Sequence, residues 1–242
     1  MIYIFRFYQW VIAGPIILVL TIITSLTCLA AAAFGCQRWA GYYPPRLWAR
    51  CVCLLWFVRV KVTGRENIDR RKAYVFVANH QGAFDIWAIY GYLNHPFKWL
   101  MKKSLEKIFL VGQACKTIGH VFVDDSNIHG IKETIADAQK TLSGNMSLMI
   151  FPEGTRSHDG KMGPFKRGAF LLAAEFRLPV VPVTIEGAFK AMPRNTYNVT
   201  PTTVHITIHK PYFPDERGFN TKTLMADCRR EINSALDPEH QD

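Results

Sequence analysis

Apolar residues run almost without interruption through the first part of the chain, whereas later they come in short blocks. No charged residue occurs between Arg6 and Arg38. Roughly 20 apolar residues in a helix are enough to cross a hydrocarbon core of about 30 Å. Aromatic residues lie at both ends of this segment, as in the interfacial belts of membrane proteins. The pattern predicts a membrane anchor over residues 1–62.

The sequence allows more than one arrangement of this anchor. A spanning helix would put its C-terminal side in the cytoplasm, because only Arg6 precedes it, whereas Arg38, Arg46 and Arg50 follow it. In a hairpin within one leaflet, Gly14-Pro15 would break the first helix, and residues 46–60 would form a second, amphipathic one after Pro44-Pro45. Four basic side chains of this second segment would then reach lipid phosphates, namely Arg46, Arg50, Arg59 and Lys61. A cleaved signal peptide ending near the alanines at 30–33 is disfavoured, because the apolar run is longer than a usual h-region.

From about residue 64 the pattern changes to short apolar runs that alternate with amphipathic segments. The runs predict six strands, at 73–78, 97–101, 120–123, 147–151, 179–185 and 203–209. Strands that alternate with helices predict an α/β fold. We therefore expect a central mixed, largely parallel sheet flanked by helices, in a domain that covers residues 63–242.

Three segments between or after these strands have helical spacing. The first contains Ile131, Ile135, Ala138 and Leu142 and is closed by Gly144. The second covers residues 166–176. The last follows Asn220 and places one apolar residue on the same face at each step of four, namely Leu224, Cys228, Ile232 and Leu236.

Composition narrows the possible partners. The 242 residues are 49% hydrophobic and carry a formal net charge of +10. Basic chains bind nucleic acid, anionic membranes or phosphorylated substrates. The aromatic residues cluster in the anchor instead of interleaving with basic residues on strands, which argues against nucleic acid. The six cysteines show no spacing typical of a zinc site or a disulfide framework, so we expect free thiols and no metal.

The first strand of the predicted domain runs into the segment NHQGAFD, residues 79–85. Five positions of a regular helix rotate by about 500°, so His80 and Asp85 would not share a helix face. They meet only if His80 ends the strand and a turn at Gly82 brings Asp85 back. A carboxylate on one imidazole nitrogen leaves the other as a general base. The alternative is a histidine at a strand end and an aspartate that caps a helix.

A second polar cluster, FPEGTRS at residues 151–157, follows another strand. Ligands of α/β sheets bind beyond the carboxyl ends of the strands. The forked guanidinium of Arg156 suits a phosphate. Glu153 would accept a substrate hydroxyl or hold Arg156 in place. The alternative is a surface turn with an internal Glu–Arg pair.

Together these two motifs resemble those of the glycerolipid acyltransferase superfamily, which includes the 1-acylglycerol-3-phosphate acyltransferases. Two weaker matches are LPVVPV at residues 178–183 and the basic MKKSL at residues 101–105. The resemblance implies transfer of an acyl group from acyl-CoA or acyl-ACP to the sn-2 hydroxyl of 1-acylglycerol 3-phosphate. It further implies phosphatidic acid as product, no cofactor, membrane phospholipid as a partner, and a bacterial inner membrane with the catalytic domain on its cytoplasmic side.

The resemblance also implies roles for individual residues. His80 would take the proton of the acceptor hydroxyl and Asp85 would orient the imidazole. The remaining residues would hold the acceptor or the phosphates of coenzyme A, namely Glu153, Gly154, Thr155 and Arg156 for the first and Lys102 and Lys103 for either.

One position departs from the family pattern. Asp125 stands where the family usually has an arginine that helps to hold the phosphate, and a carboxylate repels phosphate. Nearby cations would have to replace that charge, with Lys102, Lys103, Lys166 and Arg167 as the candidates. The departure leaves open another lyso-lipid or glycerol acceptor, or a non-catalytic lipid-binding protein. A serine hydrolase is disfavoured, because the chain has no Gly-x-Ser-x-Gly segment.

Overall fold

The computed structural model describes residues 2–123, 134, 136–140, 146–214 and 220–241. Within these residues a sheet of seven strands forms the centre of the molecule. The strands are β1 Arg59–Thr63, β2 Val75–Ala78, β3 Phe97–Lys102, β4 Val121–Val123, β5 Ser147–Ile150, β6 Val180–Glu186 and β7 Thr203–Ile208. The six strands that the sequence predicts correspond to β2 through β7.

The order of the strands across the sheet is β1-β7-β6-β2-β5-β3-β4. From β6 to β4 every neighbouring pair is parallel. At the other side, β7 runs antiparallel to β6, and β1 is parallel to β7. The predicted mixed, largely parallel sheet is therefore confirmed. The carboxyl ends of the five parallel strands lie along one edge of the sheet, which we call the carboxyl edge.

Helices cover both faces of the sheet. Among the described residues, the helices with defined bounds are α1 Ile2–Phe7, α2 Gly14–Ala33, α3 Gln37–Ala40, α4 Tyr43–Leu55, α5 Phe84–Tyr92, α6 Val111–Thr117, α7 Gly168–Glu175, α8 Ala188–Ala191 and α9 Thr221–Ser234. Every residue of β2 is buried, as in parallel strands covered on both sides. Phe76 and Ala78 of this strand belong to the core cluster that contains α5, whereas Val75 and Val77 pack with α7 and α9.

Two predicted helices are present nearly as expected. The segment predicted at 166–176 forms α7, and the segment after Asn220 forms α9. Leu224, Cys228 and Ile232 are buried on one face of α9, and Leu236 is buried just beyond its end. Of the predicted helix closed by Gly144, Ala138 is helical and buried. The other positions named for that helix, Ile131, Ile135, Leu142 and Gly144, lie outside the described residues.

The second anchor segment is shorter than the sequence predicts, and this prediction is wrong at its end. The helix α4 stops at Leu55, and Phe57 has a left-handed φ of 54°, a conformation that interrupts a helix. Arg59 and Lys61 therefore belong to the edge strand β1, where their side chains are exposed. The strand pairs with β7 from Arg59↔Thr203 to Thr63↔Thr207.

The first anchor segment forms one helix over Ile2–Ala33, long and apolar enough to cross a membrane. The predicted break at Gly14-Pro15 does not occur. A π-helical stretch, Tyr8–Ala13, precedes Gly14, and Pro15 lies in the first turn of α2. Proline is tolerated in the first turn of a helix, and Pro15 has this position directly after the π-helical stretch.

Both ends of this long helix contact the α/β body. Near its start, Arg6 donates to the carbonyl of Val199 at 2.6 Å and Gln9 donates to that of Tyr197 at 2.6 Å. Near its end, Cys28 is buried with Ala40, Ala114 and Ile118. The helix therefore lies along the body. Its outer side carries exposed apolar residues, namely Leu18, Val19, Ile22, Ile23 and Leu26.

Candidate active site

The turn that follows β2, residues 79–83, is fixed by its own side chains and by close packing; we call it the His80 turn. The side-chain amide of Asn79 accepts from the N–H of Ile185 and donates to its carbonyl, each at 2.8 Å. A Cβ at Gly82 would come within 2.6 Å of the carbonyl oxygen of Ala188 and 2.9 Å of that of Met192. Only glycine fits at this position without a shift of the backbone.

The turn brings His80 and Asp85 together, as the motif predicts. Nδ1 of His80 lies 2.7 Å from Oδ2 of Asp85, and the N–H of Gly82 donates to the same oxygen at 2.8 Å. Asp85 is fully buried in the first turn of α5. Burial raises the pKa of its carboxyl, and the contact with His80 and the bond from Gly82 lower it. Because a carboxylate only accepts, Nδ1 of His80 carries the proton and Nε2 is left as the basic nitrogen.

Aromatic side chains hold the plane of the imidazole. The ring of Phe151 is stacked on that of His80, with centroids 4.0 Å apart and planes within 7°. Trp99 packs against Phe151 at 5.3 Å. The side chain of His80 nevertheless keeps 13% of its surface exposed. The imidazole is thus fixed in orientation but accessible to a substrate.

Glu153 joins the His80 turn to a second loop. It follows β5, the neighbour of β2, so the two motifs meet at the carboxyl edge. Its Oε1 accepts from the N–H of His80 at 2.7 Å and its Oε2 from the N–H of Gly163 at 2.8 Å. Burial raises the pKa of Glu153 to about 7. The N–H of Ser157 donates to the carbonyl of His80 at 2.8 Å. A direct substrate contact of Glu153 stays a prediction.

Basic side chains surround the remainder of FPEGTRS. Gly154 has a left-handed φ of 74°, and Lys166 lies 3.2 Å from the place of its missing Cβ. Arg156 is half-buried and Thr155 is exposed. The sequence did not single out Arg194, which donates to the carbonyl of Arg156 at 3.0 Å and lies 2.8 Å from Nε2 of His158. Nothing in its local pattern marks Arg194, since only the fold brings it to the motif.

The two predicted lysines lie further along the same edge. Lys102 ends β3 and Lys103 begins a short 3-10 turn, and both are exposed. The strand β5 lies between β3 and β2. Asp125, the departure from the family pattern, lies outside the described residues.

The structure thus places a histidine–aspartate pair at the carboxyl edge of an α/β sheet, an arrangement in which the imidazole can act as a general base. The family model described as Acyltransferase matches residues 59–186. The chain belongs to this acyltransferase family.

Curated relatives agree with this assignment. A 1-acyl-sn-glycerol-3-phosphate acyltransferase of Chlamydomonas reinhardtii is 34% identical over 205 residues, which cover 84% of this chain and 60% of the relative. The chloroplastic enzyme LPAT1 of Arabidopsis thaliana is 30% identical over 203 residues, with 83% and 55% covered. The human 1-acyl-sn-glycerol-3-phosphate acyltransferase alpha is 34% identical over 132 residues, with 54% and 47% covered. The chain thus spans less than two thirds of the length of these relatives.

A solved structure has the same fold. The crystal structure of the 1-acyl-sn-glycerophosphate (LPA) acyltransferase PlsC from Thermotoga maritima superposes with a TM-score of 0.70. It covers 91% of this chain and 95% of its own, at 24% identity. At this identity the similarity concerns the fold, and it confirms the α/β architecture with its helical N-terminus.

Proposed function

We propose that the protein transfers an acyl group from acyl-CoA or acyl-ACP to the sn-2 hydroxyl of 1-acylglycerol 3-phosphate. The product would be phosphatidic acid, an intermediate of phospholipid biosynthesis. The observation that carries this proposal is the 2.7 Å contact between Nδ1 of His80 and buried Asp85, in a chain of the acyltransferase family. The names of the relatives support the choice of acceptor.

The reaction proceeds without an acyl-enzyme. Nε2 of His80 takes the proton of the sn-2 hydroxyl while its oxygen bonds to the thioester carbonyl carbon. The tetrahedral intermediate then expels the sulfur, and the imidazolium returns the proton to it, so that an ester and a free thiol are formed. Asp85 stabilises the imidazolium through Nδ1. The step balances with these residues and the two substrates, so we propose no resident cofactor or metal.

In this proposal, the FPEGTRS loop after β5 holds the acceptor beside the His80–Asp85 pair. Arg156 would bind the phosphate, and Gly154 and Thr155 of the same loop would contact the glycerol. Glu153 would hold the loop in place through its bonds to the N–H groups of His80 and Gly163. Arg194 contacts this loop through the carbonyl of Arg156 and adds a second guanidinium. Lys102 and Lys103 would meet the acceptor phosphate or the phosphates of coenzyme A, since both lie at the carboxyl edge.

We further propose that the N-terminal anchor, predicted over residues 1–62 but ending before β1 begins at Arg59, attaches the α/β body to a membrane, on the cytoplasmic side of a bacterial inner membrane. Hydrogen bonds from Arg6 and Gln9 at one end of the long helix, and the packing of Cys28 near the other, support a helix that lies along the body within one leaflet. A spanning helix would leave one end away from the body. In this arrangement the lyso-lipid reaches His80 from the membrane.

A panel of acceptors tests the proposed reaction. The purified chain in phospholipid vesicles is given labelled acyl-CoA or acyl-ACP together with lysophosphatidate, glycerol 3-phosphate, a lysophospholipid with a larger head group, or an amine-headed lyso-lipid. We expect transfer to lysophosphatidate and loss of transfer in His80→Ala, whose fold is retained. Preferred transfer to another acceptor would overturn the choice of substrate. Transfer by His80→Ala at the wild-type rate would overturn the mechanism.

A further inference from the structure

A buried polar network lies behind the His80 turn and extends from Gln81 of the first motif to residues outside both motifs. Gln81, between His80 and Gly82, is 2% exposed. Its side-chain Nε2 donates to the carbonyl of Gly160 at 3.1 Å and lies 3.4 Å from Oε2 of Glu186. The side chain of the turn is thus tied to the loop after FPEGTRS and to the end of β6.

Glu186 connects this tie to the segment after α9. Its Oε1 accepts from the N–H of Gly187 at 2.7 Å and lies 2.9 Å from Nδ1 of His240. Its Oε2 accepts from the N–H of Asp237 at 3.2 Å. Both oxygens therefore have several donors around them, as a buried carboxylate requires.

The ring of His240 also packs against the loop that Gln81 contacts. Gly160 has a left-handed φ of 89°, and a Cβ on it would come within 2.6 Å of Cδ2 of His240. Phe189 meets the ring edge-on, at 6.1 Å between centroids. His240 thus packs against the loop at Gly160 and is within hydrogen-bonding distance of the carboxylate of Glu186.

The network is connected to the His80–Asp85 pair through one atom, Oδ2 of Asp85. Nδ1 of His80 and the N–H of Gly82 both address Oδ2 of Asp85, so the orientation of the peptide between residues 81 and 82 helps to set the position of the imidazole. A tether on the side chain of Gln81 keeps that peptide from rotating.

We propose that Gln81, Glu186 and His240, the Gln81 network, position the catalytic His80. His240 touches no reacting atom, so it is a positioning residue. The effect on turnover rests on the proposed acyl transfer, whereas the effect on the geometry of His80 does not.

The ligand atoms of Glu186, Asp237 and His240 lie within 4.8 Å of one another, which a metal ion would also accept. The donors argue for the network instead. The backbone N–H groups of Gly187 and Asp237 already point at the carboxylate, and their positive ends would repel a cation.

Kinetics of three histidine variants test the proposal. His240→Ala should lower kcat roughly tenfold or more, because misplacement of a catalytic group by even 1 Å is costly, with both KM values within about twofold. His240→Asn should restore most of the activity, since its amide nitrogen replaces Nδ1 as the donor to Glu186. His205→Ala is the matched control: His205 lies opposite Glu186 in the β6–β7 pairing, but it is exposed. An equal loss in His205→Ala, or no rescue by asparagine, would overturn the proposal.

A readout that does not depend on activity separates this inference from the proposed function. In protein labelled with ¹⁵N-histidine, the Nδ1 signal of His80 reports its bond to Asp85 and is assigned with His80→Ala. We expect it to change in His240→Ala and in Gln81→Met, and to stay unchanged in His205→Ala. The double variant His240→Ala, Gln81→Met should lose no more kcat than the worse of the two single variants, because both changes break one network. An unchanged His80 signal would refute positioning, even in an active enzyme. If the wild type shows no acyl transfer, the proposed function is refuted. The Nδ1 signal of His80 still tests whether the Gln81 network positions this residue.

Discussion

Three different contacts hold the imidazole of His80: a carboxylate at Nδ1, an aromatic ring against its face, and its own backbone bonded to Glu153 and Ser157. A general base works best when its geometry is fixed before the substrate arrives. Of these contacts the sequence predicts only the carboxylate, because NHQGAFD contains both residues and a glycine at which a turn can bring them together. Phe151 and Glu153 belong to a motif that the sequence does reveal, but their contact with His80 depends on the pairing of β2 with β5.

The raised pKa of Glu153 predicts how stability changes with pH. Its pKa is about 7 in the folded state and 4.5 in the reference state, so between these values the folded protein binds more protons than the unfolded one. Stability should therefore fall as pH rises through this window. The difference in unfolding free energy between wild type and Glu153→Gln, measured by denaturant titration from pH 4.5 to pH 7, should shift in favour of the variant. A difference that is constant with pH would show that Glu153 keeps an ordinary pKa.

Arg156 should act mainly on the acceptor. Charge-assisted hydrogen bonds contribute about 1.5–3 kcal/mol, so Arg156→Ala should raise the KM for lysophosphatidate roughly tenfold or more. The KM for the thioester should change far less. Lys190→Ala, which removes an exposed cation of α8, controls for net charge. Equal increases in both KM values would mean that Arg156 is structural.

At the scale of elements, the strands were predictable where apolar residues form continuous runs. β1 was missed because Val60 and Val62 alternate with basic residues directly after an apolar helix, and its partner β7 is remote in sequence. The same limit applies to the site. Arg194, Glu186 and His240 reach it only through the strand order, so no local pattern indicates them.

The start of α9 offers a test of local stability. The side chain of Asn220 accepts from the N–H groups of Lys222 and Thr223, each at 3.2 Å. Asn220→Ala should lower the free energy of unfolding by about 1 kcal/mol, the usual contribution of an N-cap, with acyl transfer retained at saturating substrate. Thr221→Ala, one position inside the helix, serves as the control in the same denaturation experiment. Equal effects of the two changes would contradict a capping role.

At the scale of the whole molecule, the long helix and the α/β body form one structure. The helix runs past α4, where Trp48 donates to Thr21 at 2.9 Å, and it ends against α6. The sequence left a spanning and a monotopic anchor open, because length and hydropathy are the same for both. Contacts at both ends of the helix favour the monotopic arrangement.

Labelling of single cysteines tests this arrangement. Cys36 follows α2 and is exposed, and Tyr3 is exposed near the start of the same helix. In sealed vesicles, a membrane-impermeant maleimide should label Cys36 and a Tyr3→Cys variant from the same side. Each is studied in a background without other accessible thiols. Labelling from opposite sides would establish a spanning helix instead.

The pairing of β1 with β7 also dictates an order of events during synthesis. Arg59 pairs with Thr203, and Arg6 bonds to Val199, so both partners of the N-terminal region are synthesised long after it. Chains are made from the N-terminus at about 5–20 residues per second. The apolar helix therefore emerges many seconds before the strand and loop that it needs, and during that interval a bilayer is the surface on which it can be buried. With the membrane attachment proposed above, the anchor is therefore in place before the sheet closes.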